Sequence, residues 1–175
     1  MYGRQVFTMK RFLVFIILIM VAAGVTAWYY YRPETPVAGN VREAYINYVI
    51  DGDSLDITFD GKEEQLRLIG IDCPERYNED GTDNPEGKLV QDHLKTIFRQ
   101  GDKVYIELGE QERDQYGRLL GYLYRDPGAT EMLNLELLEM GYAEVLTFEP
   151  NDKYEDVFIR AMNRAKQEGV GLWKE

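Results

Sequence analysis

Two Asp-Gly dipeptides, Asp51-Gly52 and Asp60-Gly61, sit between short runs of alternating apolar and polar residues. Asp-Gly favours the left-handed turn conformations that match the twist of a β-hairpin. Alternation puts every second side chain on one face of a strand. The two turns therefore predict a three-stranded antiparallel meander over residues 45–50, 54–59 and 65–71, with Leu55, Ile57 and Phe59 facing inward. A meander of strands this short cannot stand alone, because a few strands bury too little apolar surface.

The rest of the chain supplies the missing layers. A helix opening at Pro85 or Glu86 and running to 99 carries Leu89, Val90, Leu94, Ile97 and Phe98 as its apolar stripe. Strands follow at 104–108 and, after the Tyr116-Gly117 turn, at 119–124. A short helix over 132–140 with Gly141 as C-cap and a last helix over 153–168, started by Asn151 or Asp152, complete the pattern. Trp173 is expected to pack back on the core. Strands wrapped around one core with helices set against them predict an α+β fold: a five-stranded, partly open OB-type barrel with three helices.

An N-terminal hydrophobic segment precedes this domain. Lys10 and Arg11 lead into an apolar run from Phe12 to about Tyr31, with no charge between Phe12 and Ala27 and an aromatic cluster at Trp28, Tyr29, Tyr30 and Tyr31. The run has the length of a membrane span. It is either an uncleaved signal anchor, or a signal peptide cut after the small residues Val25-Thr26-Ala27. Both place the following domain outside the cytoplasm, membrane-anchored or secreted. The expected organisation is residues 1–32 as signal segment, 33–42 as linker and 43–175 as the folded domain.

Charge narrows the function classes. After residue 40 the chain has 16 basic and 30 acidic residues, a net charge of −14. Such a surface repels nucleic acid at long range, so any nucleic-acid chemistry must rest on a local site. Cys73 is the single cysteine, which excludes an internal disulfide, and its acidic neighbours predict an inert thiol. His93 is the single histidine, expected on a helix surface, which argues against a histidine-based zinc site or a Ser-His-Asp triad.

Three strings concentrate the chemistry that remains: I-D-G-D-S at 50–54, L-R-L-I-G-I-D-C-P-E at 66–75 and D-Q-Y-G-R at 114–118. Asp53 at the first hairpin and Asp72 beyond the third strand are within reach of each other in a meander. Two carboxylates with the Cys73 carbonyl and water would make a hard-oxygen site for a divalent cation. Arg67 alternates with Leu66 and Leu68 and so points away from the core, and Arg118 lies at the mouth of a turn. Two guanidinium groups can each grip a phosphate with paired hydrogen bonds.

From residue 45 to 173 the chain resembles the thermonuclease (staphylococcal-nuclease-like) family. The likeness is carried by V-I-D-G-D-S, R-L-I-G-I-D-C-P-E, D-Q-Y-G-R-L-L-G-Y, L-N-L-E-L-L-E-M-G-Y-A and the closing G-L-W. The resemblance implies that Asp53, Asp72 and the backbone carbonyl of Cys73 bind catalytic calcium, supported by Asp51. It implies that Glu75 activates or orients the attacking water, and that Arg67 and Arg118 bind the phosphate and stabilise the transition state. Tyr116 and Phe148 would contact the substrate. The implied activity is an exported, monomeric, calcium-dependent nuclease acting on DNA and RNA. The alternative is a non-catalytic, membrane-tethered binding module of the same fold. There are three departures from the family pattern: Cys73 where threonine is common, which a metal site using only its backbone carbonyl tolerates; Leu146 and Phe148 where a tyrosine pair is usual, which bears on base stacking; and an acidic surface in place of a basic one, which implies weaker substrate capture.

Overall fold

A computed structural model describes residues 14–26 and 38–174. The chain divides into two units, Met1–Thr35 and Pro36–Glu175. In the first, residues 14–26 form a helix, α1, whose side chains are exposed. Among the described residues, no helix is long and apolar enough to cross a membrane. The expectations for the basic start, Ala27 of the cleavage sequence, the Trp28–Tyr31 cluster and residues 33–37 of the linker lie outside the described residues.

The second unit is built on a closed barrel in the order β1-β2-β3-β6-β5, with β5 pairing back to β1. Its strands are β1 (Arg42–Val49), β2 (Ser54–Phe59), β3 (Lys62–Leu68), β5 (Lys103–Arg113) and β6 (Leu119–Tyr124); a short β4 (Gly70–Asp72) follows β3. The expected meander is present, and Leu55, Ile57 and Phe59 are buried inside it. The barrel is closed rather than partly open because β3 also pairs with β6, in parallel, setting Arg67 opposite Leu120.

The third strand runs three residues earlier than the expected 65–71, starting at Lys62. It stops at Leu68, and Gly70 takes a φ of +80°. The ring of Phe158 lies directly behind: a Cβ on Gly70 would meet it at 2.5 Å. Residues 70–72 leave the barrel and pair with β7 (Glu144–Leu146), Gly70 opposite Leu146 and Asp72 opposite Glu144. An apolar run signals burial, but it does not say which partner strand does the burying.

Helix α2 (Pro85–Ile97) opens with Asn84, whose side chain accepts the Glu86 N–H at 3.1 Å, and has Pro85 in its first turn. Its buried face is Gly87, Val90, Gln91 and Leu94, whereas Leu89 is half-exposed, contrary to the predicted stripe. Gln91 holds the hairpin entry by donating to the carbonyls of Val49 (3.3 Å) and Ile50 (2.5 Å). His93 is half-buried, its ring edge-on to Tyr142 at 5.3 Å, rather than free on the surface. Helix α3 (Leu133–Glu139) ends with Gly141 at φ +69°. Helix α4 (Glu155–Glu168) begins at Glu155 without a side-chain cap. Asn151, expected as its cap, is drawn instead to β5, where it accepts the Gln111 N–H at 2.9 Å and donates to the Gln111 carbonyl at 3.0 Å. Trp173 lies in a 3₁₀ turn (Gly171–Trp173), half-buried beside Gly141 and under Lys166.

One buried polar side chain ties the strand break to the barrel. Asn134 is fully buried, accepts the Leu123 N–H at 3.1 Å and donates to the Ile69 carbonyl at 2.9 Å. Asn134→Leu keeps the branched shape and strands both backbone groups away from water. It is expected to cost about 2–4 kcal/mol, read from the denaturant midpoint at unchanged m-value.

Candidate active site

The site lies where β2 begins, where β3 gives way to β4, and where the β5–β6 turn closes. Gly52 makes the first of these possible: a Cβ there would sit 2.5 Å from the Cys73 Cβ and 2.7 Å from Val90. With no side chain in the way, the 51–53 turn packs against Cys73 and buries Asp53 almost completely. A buried carboxylate must be hydrogen-bonded. Asp53 accepts the Cys73 N–H at 2.6 Å and the Ser54 hydroxyl at 3.3 Å, and forms an ion pair with Arg67. The Asp53 N–H in turn donates to Asp51 at 3.1 Å.

Arg67 joins the two acids expected to act together. One guanidinium nitrogen meets Asp53; the other meets Asp72 at 2.7 Å and the Ile71 carbonyl at 3.4 Å. Asp72 is half-exposed and Asp53 is not, so the pair spans the edge of the core. Burial raises the pKa of Asp51, opposed by its Ser54 hydrogen bonds and by Arg67. Burial, with Asp51 and Asp72 nearby, also raises Glu75, against the pull of Arg67 and Arg118. Burial likewise pushes the Cys73 thiol up, as an inert thiol requires.

Glu75 is held from behind by α2. A Cβ on Gly87 would fall 2.0 Å from the Glu75 carbonyl oxygen, so the first turn of the helix rests directly on that backbone. Arg118 is held by Asp114, its Nε 2.7 Å from a carboxylate oxygen. Asp114 carried no role in the sequence analysis, although aspartate opening a turn that closes on glycine is a recognisable pattern.

Arg67, Glu75, Asp114, Tyr116, Arg118 and Phe148 line one cleft of about 570 Å³. Tyr116 and Phe148 stand out from it, 76% and 69% exposed, and Leu146 forms part of its apolar wall. The β4–β7 pairing brings Leu146 and Phe148 to this cleft.

Asp53 and Asp72 fit a hard divalent cation by chemistry: two carboxylates already converge on one cationic group. Among the described residues no three Asp, Glu, His or Cys side chains gather around a single metal position. The remaining ligands would therefore be backbone oxygen and water. The contact between Cys73 and Asp53 runs through the Cys73 N–H.

Barrel and cleft together define an OB-type protein with a carboxylate–guanidinium site at its strand ends. The family model described as "Staphylococcal nuclease homologue" matches residues 65–175. The thermonuclease of Staphylococcus intermedius is 30% identical over 171 residues, covering 95% of this chain and 99% of that protein. The thermonuclease of Staphylococcus hyicus is 35% identical over 125 residues, 71% of this chain and 72% of that protein. Endonuclease YhcR of Bacillus subtilis (strain 168) is 34% identical over 152 residues, 82% of this chain but 12% of that much longer protein. The chain belongs to the staphylococcal nuclease family.

Proposed function

We propose that this chain is an exported, calcium-dependent nuclease that hydrolyses phosphodiester bonds of DNA and RNA. The observation that carries this is the meeting of Arg67, Glu75 and Arg118 on one cleft, with Asp53 and Asp72 joined through Arg67 at its edge. Asp53, Asp72 and the Cys73 carbonyl would hold calcium, which supplies Lewis acidity at a phosphoryl oxygen.

The chain's own residues divide the remaining work. Glu75 orients a water and takes its proton as the water oxygen bonds to phosphorus and the opposite P–O bond breaks, its sugar oxygen leaving as an alcohol protonated by solvent. Arg67 and Arg118 grip the non-bridging oxygens, where negative charge builds. Asp51 steadies the turn that carries Asp53. Tyr116 and Phe148 offer ring faces to the substrate on either side of the phosphate. The acidic surface forgoes long-range attraction of polyanions, so binding rests on these local contacts.

Export is proposed from the basic start and the apolar run of the N-terminal segment, which would anchor the domain to the membrane or release it after cleavage. The domain is proposed to act as a monomer. The decisive experiment gives the purified protein single-stranded DNA. Cleavage with calcium that stops on chelation is the expected result. A wild type as inert as Glu75→Gln across divalent metals overturns the proposal.

A further inference from the structure

Asp114 holds both the backbone and the arginine side chain of the turn that carries Arg118. One carboxylate oxygen accepts the backbone N–H of Tyr116 at 2.9 Å and of Arg118 at 3.0 Å. The other accepts Nε–H of the Arg118 side chain at 2.7 Å. The backbone closes the same loop, with Asp114 N–H to the Arg118 carbonyl and Gly117 N–H to the Asp114 carbonyl, both at 3.1 Å. Gly117, at φ +85°, permits the tight return. From outside, Arg113 forks onto Glu64 at 2.9 and 2.7 Å and donates to the Gly117 carbonyl at 2.7 Å, so the turn is braced against β3.

The result is a particular presentation of Arg118. A guanidinium can meet a phosphate through its Nε edge or through the edge formed by its two Nη groups. Asp114 occupies Nε, and no described residue takes either Nη, so the double-Nη edge is what the cleft receives. The same carboxylate fixes the main chain of Tyr116, whose ring lies 5.6 Å from the guanidinium carbon. Burial would neutralise this acid, but the hydrogen bonds from Arg118 and Tyr116 outweigh it and hold its pKa below the usual carboxylate range.

We infer that Asp114 is a positioning residue for phosphodiester hydrolysis, fixing the edge of Arg118 that stabilises the transition state; this rests on the nuclease function proposed above. Preorganised donors act without reorganising as charge develops, so a loosened Arg118 costs turnover more than binding.

The test is Asp114→Asn in the full-length protein. Asparagine keeps one oxygen for the two backbone amides and loses the acceptor for Nε. The expected result is a kcat about tenfold lower or more, with KM within a few-fold and an almost unchanged thermal midpoint. The Arg118 Nε–H signal in ¹⁵N NMR, shielded from water exchange in wild type, should exchange much faster. In an Arg118→Gln background, adding Asp114→Asn should change kcat by less than about twofold, because the two act as one unit. The same loss in both backgrounds, or a lowered midpoint with unchanged kcat, overturns the inference. If Asp114→Asn does not fold, Asp114→Ser, which keeps an acceptor for the turn, takes its place in the same cycle. A wild type without nuclease activity defeats the proposed function and this inference together. An active wild type matched by Asp114→Asn defeats the inference alone.

Discussion

Glu75→Gln is expected to lower kcat by about 10²–10⁴-fold, the usual contribution of a general base, with little loss of stability. Glutamine has the size of glutamate and cannot take a proton. The backbone at 75 is fixed by the Gly87 turn of α2, which does not depend on the side-chain charge. The side chain lines the same cleft as both arginines, where the proposed reaction would bring water and phosphate together. Single-turnover cleavage with saturating calcium is the measurement, because it separates chemistry from substrate capture. A variant retaining more than a tenth of wild-type turnover would remove Glu75 from the chemical step.

Arg118→Lys is the second large effect, expected to reduce kcat by about 10²-fold or more although the charge is kept. Lysine offers one compact ammonium in place of a planar fork. Asp114 stands within reach of that ammonium, and a lysine at 118 would pair with it instead of turning a second pair of donors to the cleft. Arg67→Lys is a less clean test of the same chemistry, because Arg67 also compensates buried Asp53 and links it to Asp72. Removing one partner of a buried pair destabilises the fold itself. A mild effect of Arg118→Lys on kcat, with thermal stability intact, would show that phosphate is not held by a two-pronged grip at this position.

Much of this molecule was legible in its residues. The Asp-Gly turns, the strand alternation, the helix start at Pro85 and the glycine after α3 act within a few residues of themselves. The acids and arginines stood out from many other charged groups because they fall together in three short strings, at 50–54, 66–75 and 114–118. The errors share a physical cause. Leu89 belongs to an apolar pattern but faces solvent, because the neighbouring polar Gln91 is buried to satisfy two carbonyls of the first hairpin. Asn151 has the chemistry of a helix cap and serves β5 instead, 40 residues away. Asp114 looked like an ordinary turn residue until the side chain it holds was seen on the cleft.

Local backbone preference and side-chain chemistry set the strands, the turns and the inventory of reactive groups. Which of those groups share one cleft depends on long-range pairing. The parallel pairing of β3 with β6 puts Arg67 beside the strand that follows Arg118. The ring of Phe158 behind Gly70 turns residues 70–72 out of the barrel and onto β7, setting Gly70 opposite Leu146, which lines the cleft with Arg67 and Phe148. Both depend on contacts between residues far apart in the chain, and no periodicity within a strand encodes which distant partner it will meet.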